Sequence, residues 1–481
     1  VSCGAHYSGR PFKEALMPRE IRHRLLVALA CCTGLIGLGG LRVEAQTPSA
    51  RLAVRVPKNL ALLHVLVLLT PSGAERRAFI DHALADAARD YFAPYAGHRA
   101  VAATEQLFRA AWYHPLNYAA LHYSEFPGAK QIHAFPARLT GSGGDWEARL
   151  SQYMSLADEF YGVSRFEEFW EAHQEEIQAV VAQARQSMVA RDLPGLMERL
   201  YGRHVQQFVL APCPFMQESG AHVEVEAAND TTFYYLAGGE IPSDAFRYTY
   251  VAFHEFSHSF IEPISARYGE QIGALSDLYR PLAVRFRQLG YNDWDRAFNE
   301  HMVTAGQILL AGLVLGQDRV EELLRHEEQN GFQLIRRFYR LFLTYGANRD
   351  AYPDLEAFYP AILRELRTLG AEEYRAPGTM GFFPVVGAER VTIDSVIGGS
   401  AFALAGIVAG DVLLRLGGTD VGSEAAFQAA KERWWSSASE GDTVDVEVLR
   451  LGSRVAIRVP VPFVTRFRYV GRAPRGHREG G

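Results

Sequence analysis

Residues 254–258 read His-Glu-Phe-Ser-His, and this string constrains the chain more than any other. On an α-helix, residues four apart share a face about one turn apart, so both imidazoles can address one ion. Glu255 is rotated by about 100° from His254 around the axis. There it can act as general base toward a water that the ion activates. The segment must then be helical. Pro242-Ser243-Asp244 supplies a start, with Ser243 or Asp244 as N-cap, and Pro263 supplies a stop. The intervening AFRYTYVAFHEFSHSFIE contains neither Gly nor Pro. With 16 histidines in 481 residues, chance gives roughly 0.03 such strings in a chain of this length. Two ordinary histidines on a helix are therefore the poorer reading, and the string points to zinc.

A catalytic zinc takes three protein ligands and keeps one position open. A metzincin would place a histidine six residues after His258, but that position is Ile264. The aspzincin Gly-Thr-x-x-Asp is poorly matched by Gly273-Ala-Leu-Ser-Asp277, which lacks the Thr. Glu262 shares the helix face but lies one turn along, and three ligands from one straight helix are hard to wrap around one ion. The remaining candidate is Glu300, in Arg296-Ala-Phe-Asn-Glu-His-Met-Val-Thr-Ala305, with the adjacent His301 as the alternative. The Asn299-Glu300 pair on a second helix resembles a gluzincin ligand helix. The gap of 42 residues after His258 calls for an insertion, roughly Arg267–Asp293.

The start of the chain reads as an address. Arg19, Arg22 and Arg24 precede the apolar run Leu25–Leu41, and Val43-Glu44-Ala45 fits a signal-peptidase site, so residues 1–45 are expected to be removed. Met17 stands where a start would be expected, which makes residues 1–16 a candidate mis-called extension. The run is short for a membrane anchor and carries four glycines. Export to the periplasm or outside is the expectation, and lipoprotein anchoring at Cys31 is a weaker rival. Cys213 would then be the one cysteine left, read as a small buried side chain with no disulfide and no Cys-based metal site. A formal charge of −6 gives no electrostatic case for nucleic acid. Hydrophobic residues at 48% and charged ones at 22% exclude a disordered chain and a polytopic membrane protein.

From about Thr47 to Arg375 the rhythm is mostly helical, with apolar spacing of three to four in Ala74–Phe92, Trp146–Tyr161, Phe166–Ala190 and Asp318–Leu343. Val223–Leu236 alternates instead and reads as a hairpin or edge strand, and Gly141–Gly144 as a loop. Past Ala376-Pro377-Gly378 the pattern becomes short strands at Val391–Val396, Val412–Leu416, Val444–Arg450 and Arg454–Val459. The expected organisation is a helical domain over 46–375, a β-rich one over 376–465 and a flexible tail over 466–481.

Two resemblances follow from quoted strings. HEFSHSFIEP followed by NEHMVTA is similar to a family of bacterial exported proteins with a zincin-like domain of unknown function, with weaker echoes in Phe166-Glu-Glu-Phe-Trp170 and Tyr352–Pro360. It implies a gluzincin metallopeptidase fold with one Zn2+ per chain held by His254, His258 and Glu300. Gly378-Thr-Met-Gly-Phe-Phe383, Ala405-Gly-Ile-Val-Ala-Gly-Asp-Val-Leu-Leu414 and Leu416-Gly-Gly418 resemble a PDZ domain of the bacterial protease-associated type. That resemblance implies a peptide carboxylate received at the backbone of Met380, Gly381 and Phe382, with a strand added to the sheet edge. Phe382 and Phe383 could equally fill the core.

The fold class expected is therefore α+β: a mostly helical zincin-like domain with a small edge-stranded sheet, then a β-rich PDZ domain. The expected function is an exported zinc metallopeptidase with Glu255 as base, acting on peptide or protein substrates, with a C-terminal peptide as ligand of the PDZ domain. The rival is a non-catalytic, zinc-stabilised scaffold working through its PDZ groove. An intramembrane site-two protease is excluded because Asp244, Arg247 and Glu262 flank the histidines and no long apolar run encloses them. Glycyl-aminopeptidase-type zincins share the architecture but usually show Glu-Gly where this chain has Glu300-His301. Tyr345 and Tyr352 lie where zincins carry an oxyanion donor; each is read as a core or surface tyrosine.

Overall fold

The structure is a computed structural model that describes residues 51–472 apart from 76–82, 137–138, 140–144, 189, 191, 218–219, 228–229, 239–244 and 388–389. The leader at 1–45, the Ser243/Asp244 cap, the Gly141–Gly144 loop, residues 76–82 of the Ala74–Phe92 segment and the end of the tail lie outside the described residues. The chain divides into two compact units, 1–366 and 367–481.

The first unit is built around a four-stranded sheet of β1 (Leu52–Val54), β2 (Gln207–Cys213), β3 (Ala221–Ala227) and β4 (Asp230–Gly238), in the order β1-β2-β4-β3. The first three in that order run parallel, and β3 closes the edge antiparallel, with His222 opposite Tyr235 and Glu224 opposite Phe233. Alternation in Val223–Leu236 makes the β3–β4 pair visible to sequence reading. The other two strands are silent there: β1 is three residues long, and β2 is buried from Phe208 to Cys213 on both faces, so it does not alternate.

Side chains of alternating direction divide the sheet between two helical layers. Val209, Ala211, Val223, Val225, Tyr234 and Leu236 join the core built on the helix Lys58–Leu68 and its neighbours. Phe208, Phe233 and Tyr235 point to the other side, against Phe256 and Phe260 of the helix Ala245–Arg267. Each such buried aromatic contributes about 1.5–3 kcal/mol by its removal from water.

The helix carrying residues 254–258 does not stop at Pro263; the proline lies inside it, and the helix continues to Arg267. A proline forfeits one hydrogen bond, but the last turn is held by tertiary contacts. Ile264 is buried, and Ser265 Oγ hydrogen-bonds Asn299 Oδ1 and Tyr359 Oη. The expected insertion forms short helices at Gly269–Gly273 and Ala283–Gln288 and a 3-10 turn at Ser276–Tyr279. It leads into the long helix Trp294–Leu315, capped by Asp293. Two periodic segments prove to be helix pairs. Phe166–Ala190 divides at His173, and Asp318–Leu343 breaks at Gly331, whose φ of 105° favours glycine.

In the second unit β5 (Leu369–Pro377) is followed by β6 (Phe382–Val386), β7 (Val391–Val396), β8 (Val412–Leu416), β9 (Thr419–Asp420), β10 (Thr443–Arg450), β11 (Ser453–Pro460) and β12 (Phe463–Gly471). The main sheet has the order β11-β10-β8-β7-β6, with β9 on β8, and the helix Glu424–Lys431 lends Phe427 and Ala430 to its core. Residues 466–471, expected in the tail, are instead a strand. They belong to β12, which pairs antiparallel with β5, and Arg468 meets Glu372 at 2.7 Å. The α+β class stands, with helices concentrated in the first unit and strands in the second.

On the helix Trp294–Leu315, Gly306 leaves room for the Tyr201 side chain, which reaches over from the helix Leu193–Tyr201. A Cβ there would lie 2.4 Å from the Tyr201 hydroxyl, which donates to Ser257 Oγ at 2.7 Å. Gly306→Val is expected to lower stability by about 1–3 kcal/mol through this overpacking, read as a lower urea midpoint of the first unit.

Candidate metal centre and peptide groove

Phe253, Phe256 and Phe260 anchor the helix Ala245–Arg267 in the core, and this rotation turns His254 and His258 toward the helix Trp294–Leu315. The two Nε2 atoms lie 3.2 Å apart. Glu300 Oε2 is 3.5 Å from His254 Nε2, and Glu300 Oε1 is 3.7 Å from His258 Nε2. The ligand atoms of these three residues all fall within 4.8 Å of one another.

The opposite ring nitrogens decide what this cluster can hold. His254 Nδ1 faces Gln307 Oε1 at 3.2 Å, and Gln307 is oriented by donating from Nε2 to the Tyr250 carbonyl at 2.9 Å. His258 Nδ1 faces Glu262 Oε1 at 3.0 Å. With each Nδ1–H donated outward, both Nε2 lone pairs face inward. Glu300 is 1% exposed, and neither of its carboxylate oxygens has a hydrogen-bond partner. With both ring protons on Nδ1, two lone pairs and the Glu300 carboxylate face one point, a donor set that a cation between them would satisfy. Burial lowers the His258 pKa, but Glu300, Glu262 and Glu255 outweigh it and push it up to about 9. Burial and the neighbouring His258 lower that of His254. Two imidazoles and a carboxylate, with the outer nitrogens tied, suit zinc.

Glu255 lies beside this cluster and is 5% exposed. Burial alone would raise its pKa, but His222, His254 and His258 outweigh it and hold the carboxyl below the usual range. His222, on β3, is not singled out by the sequence. Its Nδ1 is 3.7 Å from Glu255 Oε2, its Nε2 is 3.4 Å from Glu262 Oε2, and its ring stacks on His258 at 4.5 Å. His222, His258 and Glu262 form a second group with ligand atoms close together. That group is balanced without an ion, because His258 Nδ1–H already donates to Glu262. A histidine on an alternating strand carries no spacing signal, so only the strand's approach to the helix reveals it.

Other candidates fall elsewhere. His301 is fully buried, donates from Nδ1 to the Ala297 carbonyl at 2.6 Å and stacks on Phe286, away from its neighbour Glu300's partners; burial pushes it down to about 4. Tyr345 is buried and receives a hydrogen bond from Arg349, and Tyr352 packs on Phe358. Cys213 is buried with its thiol on the Ala211 carbonyl, and burial pushes that thiol up.

In the second unit a cavity of about 560 Å³ is lined by Met380, Gly381, Phe382, Phe427, Lys431 and Trp435 among others. The Met380 carbonyl accepts from Phe402 N–H, and the Gly381 carbonyl from Ile397 N–H at 2.8 Å and Ser400 Oγ at 3.1 Å. Because trans peptides are planar, the N–H groups of Gly381 and Phe382 point the opposite way. Gly381 has φ 81°, and a Cβ there would lie 2.1 Å from Ser400 Cβ, so this turn requires glycine. Phe382 packs on Phe402, whereas Phe383 is 58% exposed, so only one of the pair serves the core.

This architecture is that of a helical domain followed by a PDZ domain, the latter matched by the PDZ family over residues 378–461. The chain belongs to the family described as Domain of unknown function (DUF4932), which matches residues 54–365. Among solved structures, the HtrA3 PDZ domain bound to a phage-derived ligand (FGRWV) is 16% identical over 20% of this chain and 93% of that one, with a TM-score of 0.17. The HtrA-type protease AlgW with decapeptide is 16% identical over 19% of this chain, with a TM-score of 0.16, and only 30% of that protease is spanned. An aminopeptidase N family protein from Idiomarina loihiensis is 12% identical over 60% of this chain and 64% of that one, with a TM-score of 0.21. No curated protein matches. No described helix is long and apolar enough to cross a membrane.

Gln307 fixes the ring of His254 without entering the cluster. Gln307→Leu should keep the fold and weaken zinc binding about 10-fold, measured by competition with a chromophoric chelator.

Proposed function

We propose that the chain is a zinc-dependent peptidase with one Zn2+ held by His254, His258 and Glu300, and with Glu255 as general base. The observation that carries this reading is the buried Glu300 carboxylate, without a hydrogen-bond partner, facing two inward Nε2 atoms. A bound zinc ion supplies Lewis-acid polarisation of the scissile carbonyl and makes a water molecule acidic enough to attack it. Glu255 accepts the proton that this water loses as its oxygen bonds to the carbonyl carbon. It then delivers that proton to the amide nitrogen as the C–N bond breaks, giving a free amine and a carboxylic acid, which loses the second water proton to solvent. His254 and His258 hold their positions because Gln307 and Glu262 occupy their outer nitrogens.

The PDZ domain binds peptide, and the N–H groups of Gly381 and Phe382, turned away from the hydrogen-bonded carbonyls of Met380 and Gly381 beside the cavity, support capture of a C-terminal carboxylate there. We further propose export through the leader at 1–45, with the protein periplasmic or secreted; the support is the Arg-flanked apolar run and the Val43-Glu44-Ala45 site.

Elemental analysis of the purified protein is expected to give about one zinc per chain, and Glu300→Ala to lose most of it. Glu255→Gln should retain zinc and lower kcat on a mixed peptide library by about 10²–10⁴-fold. Absence of zinc after zinc is supplied would sink the peptidase reading and leave a PDZ-bearing binding protein.

A further inference from the structure

We propose that His222 is a positioning residue that holds the Glu255 carboxylate from strand β3 and, through Glu262, steadies the ring of His258. The inference rests on the zinc reading of the His254, His258 and Glu300 cluster. Its basis is the placement of one imidazole between two carboxylates. His222 Nδ1 lies 3.7 Å from Glu255 Oε2, and Nε2 lies 3.4 Å from Glu262 Oε2. The His222 ring is 7° from parallel with His258 at a centroid distance of 4.5 Å, so it also limits how His258 can tilt. Glu262 completes the chain of contacts by meeting His258 Nδ1 at 3.0 Å.

Gly220 supports the same arrangement from the backbone. A Cβ there would stand 2.8 Å from Glu255 Oε1 and 3.2 Å from Tyr235 Cε2, so the chain at 220–222 closes around the carboxylate. Glutamate has three side-chain torsions, and ordering them costs rotamer freedom. Contact from a strand fixed in the sheet by the His222–Tyr235 register offsets that cost before substrate arrives. Because β3 is the edge strand, the residue that orients the base sits on the element at the sheet's open border.

The test uses the full chain with His222→Ala, His222→Gln and His222→Asn, each checked for its thermal midpoint. A Gln amide reaches about where Nε2 lies, and an Asn amide about where Nδ1 lies. His222→Ala is expected to weaken zinc binding about 10-fold, and to lower kcat about 10- to 100-fold with KM within about twofold. His222→Gln should restore zinc affinity but not kcat. Adding His222→Ala to a Glu262→Ala chain should weaken zinc by less than His222→Ala does alone, since His222 acts on His258 partly through Glu262. If the Ala variant does not fold, the Gln and Asn variants decide by whether zinc affinity and kcat separate. Zinc affinity and kcat both kept within about twofold in the Ala variant, or in both amide variants, overturn the positioning role while leaving the zinc site standing. A wild-type chain that binds no zinc overturns both readings.

Discussion

The first unit turns on one unbalanced contact, the Glu300 carboxylate buried opposite the Nε2 atoms of His254 and His258. With both ring protons on Nδ1, three acceptors face one another, and desolvation of a lone carboxylate costs several kcal/mol even after relaxation. The surroundings make the imbalance worse rather than relieving it, because Gln307 and Glu262 take up the outer nitrogens and aim both lone pairs inward. The helices that bring the cluster together are tied at other points, by Ser265 with Asn299 and Tyr359, and by Tyr201 with Ser257. A pocket whose frame is fixed this firmly cannot relax by moving its charged groups apart. The zinc ion proposed above would resolve it.

What can be read from sequence divides along the range of the interactions involved. Spacing within one helix is a local property, so His254, Glu255 and His258 stand out at once. Glu300 needs only the idea of a second helix, because the insertion before it merely lengthens the connection. Pro263 misleads, since a proline weighs heavily locally, yet the turn beyond it is held by Ser265 reaching another helix and by buried Ile264. His222 is illegible for the complementary reason. Nothing in Ala221–Ala227 distinguishes it until the strand is laid against the helix. The same holds for β2, whose continuous burial erases the alternation that identifies a strand.

The PDZ unit arranges its groove by a different means. There backbone geometry shapes the groove, and side chains act by fixing which way each peptide plane faces. Ser400 and the amides of Ile397 and Phe402 take the carbonyls of Gly381 and Met380, which turns the intervening N–H groups outward. This orientation depends on Gly381 adopting φ 81° against Ser400. A glycine-bearing string with a fixed neighbour pattern survives in the sequence, so this domain is legible from Gly378 onward. Strand β12 is less so, because its Arg-rich sequence hides a partner nearly 100 residues earlier in β5.

Glu255 weighs against a purely structural role for the cluster of His254, His258 and Glu300. A site that only braces the fold needs its ligands and their orienting partners, all supplied by His254, His258, Glu300, Gln307 and Glu262. Glu255 is a further carboxylate at 5% exposure, and burying it carries a desolvation cost that an apolar residue at that position would avoid. The fold meets that cost with His222 alongside and with a glycine at 220, where any larger residue would collide with the carboxylate. Such a cost is understandable when the carboxylate must stand next to the cluster and exchange a proton. It has no counterpart in a scaffold, where the most stable choice would be a methyl group in the same space.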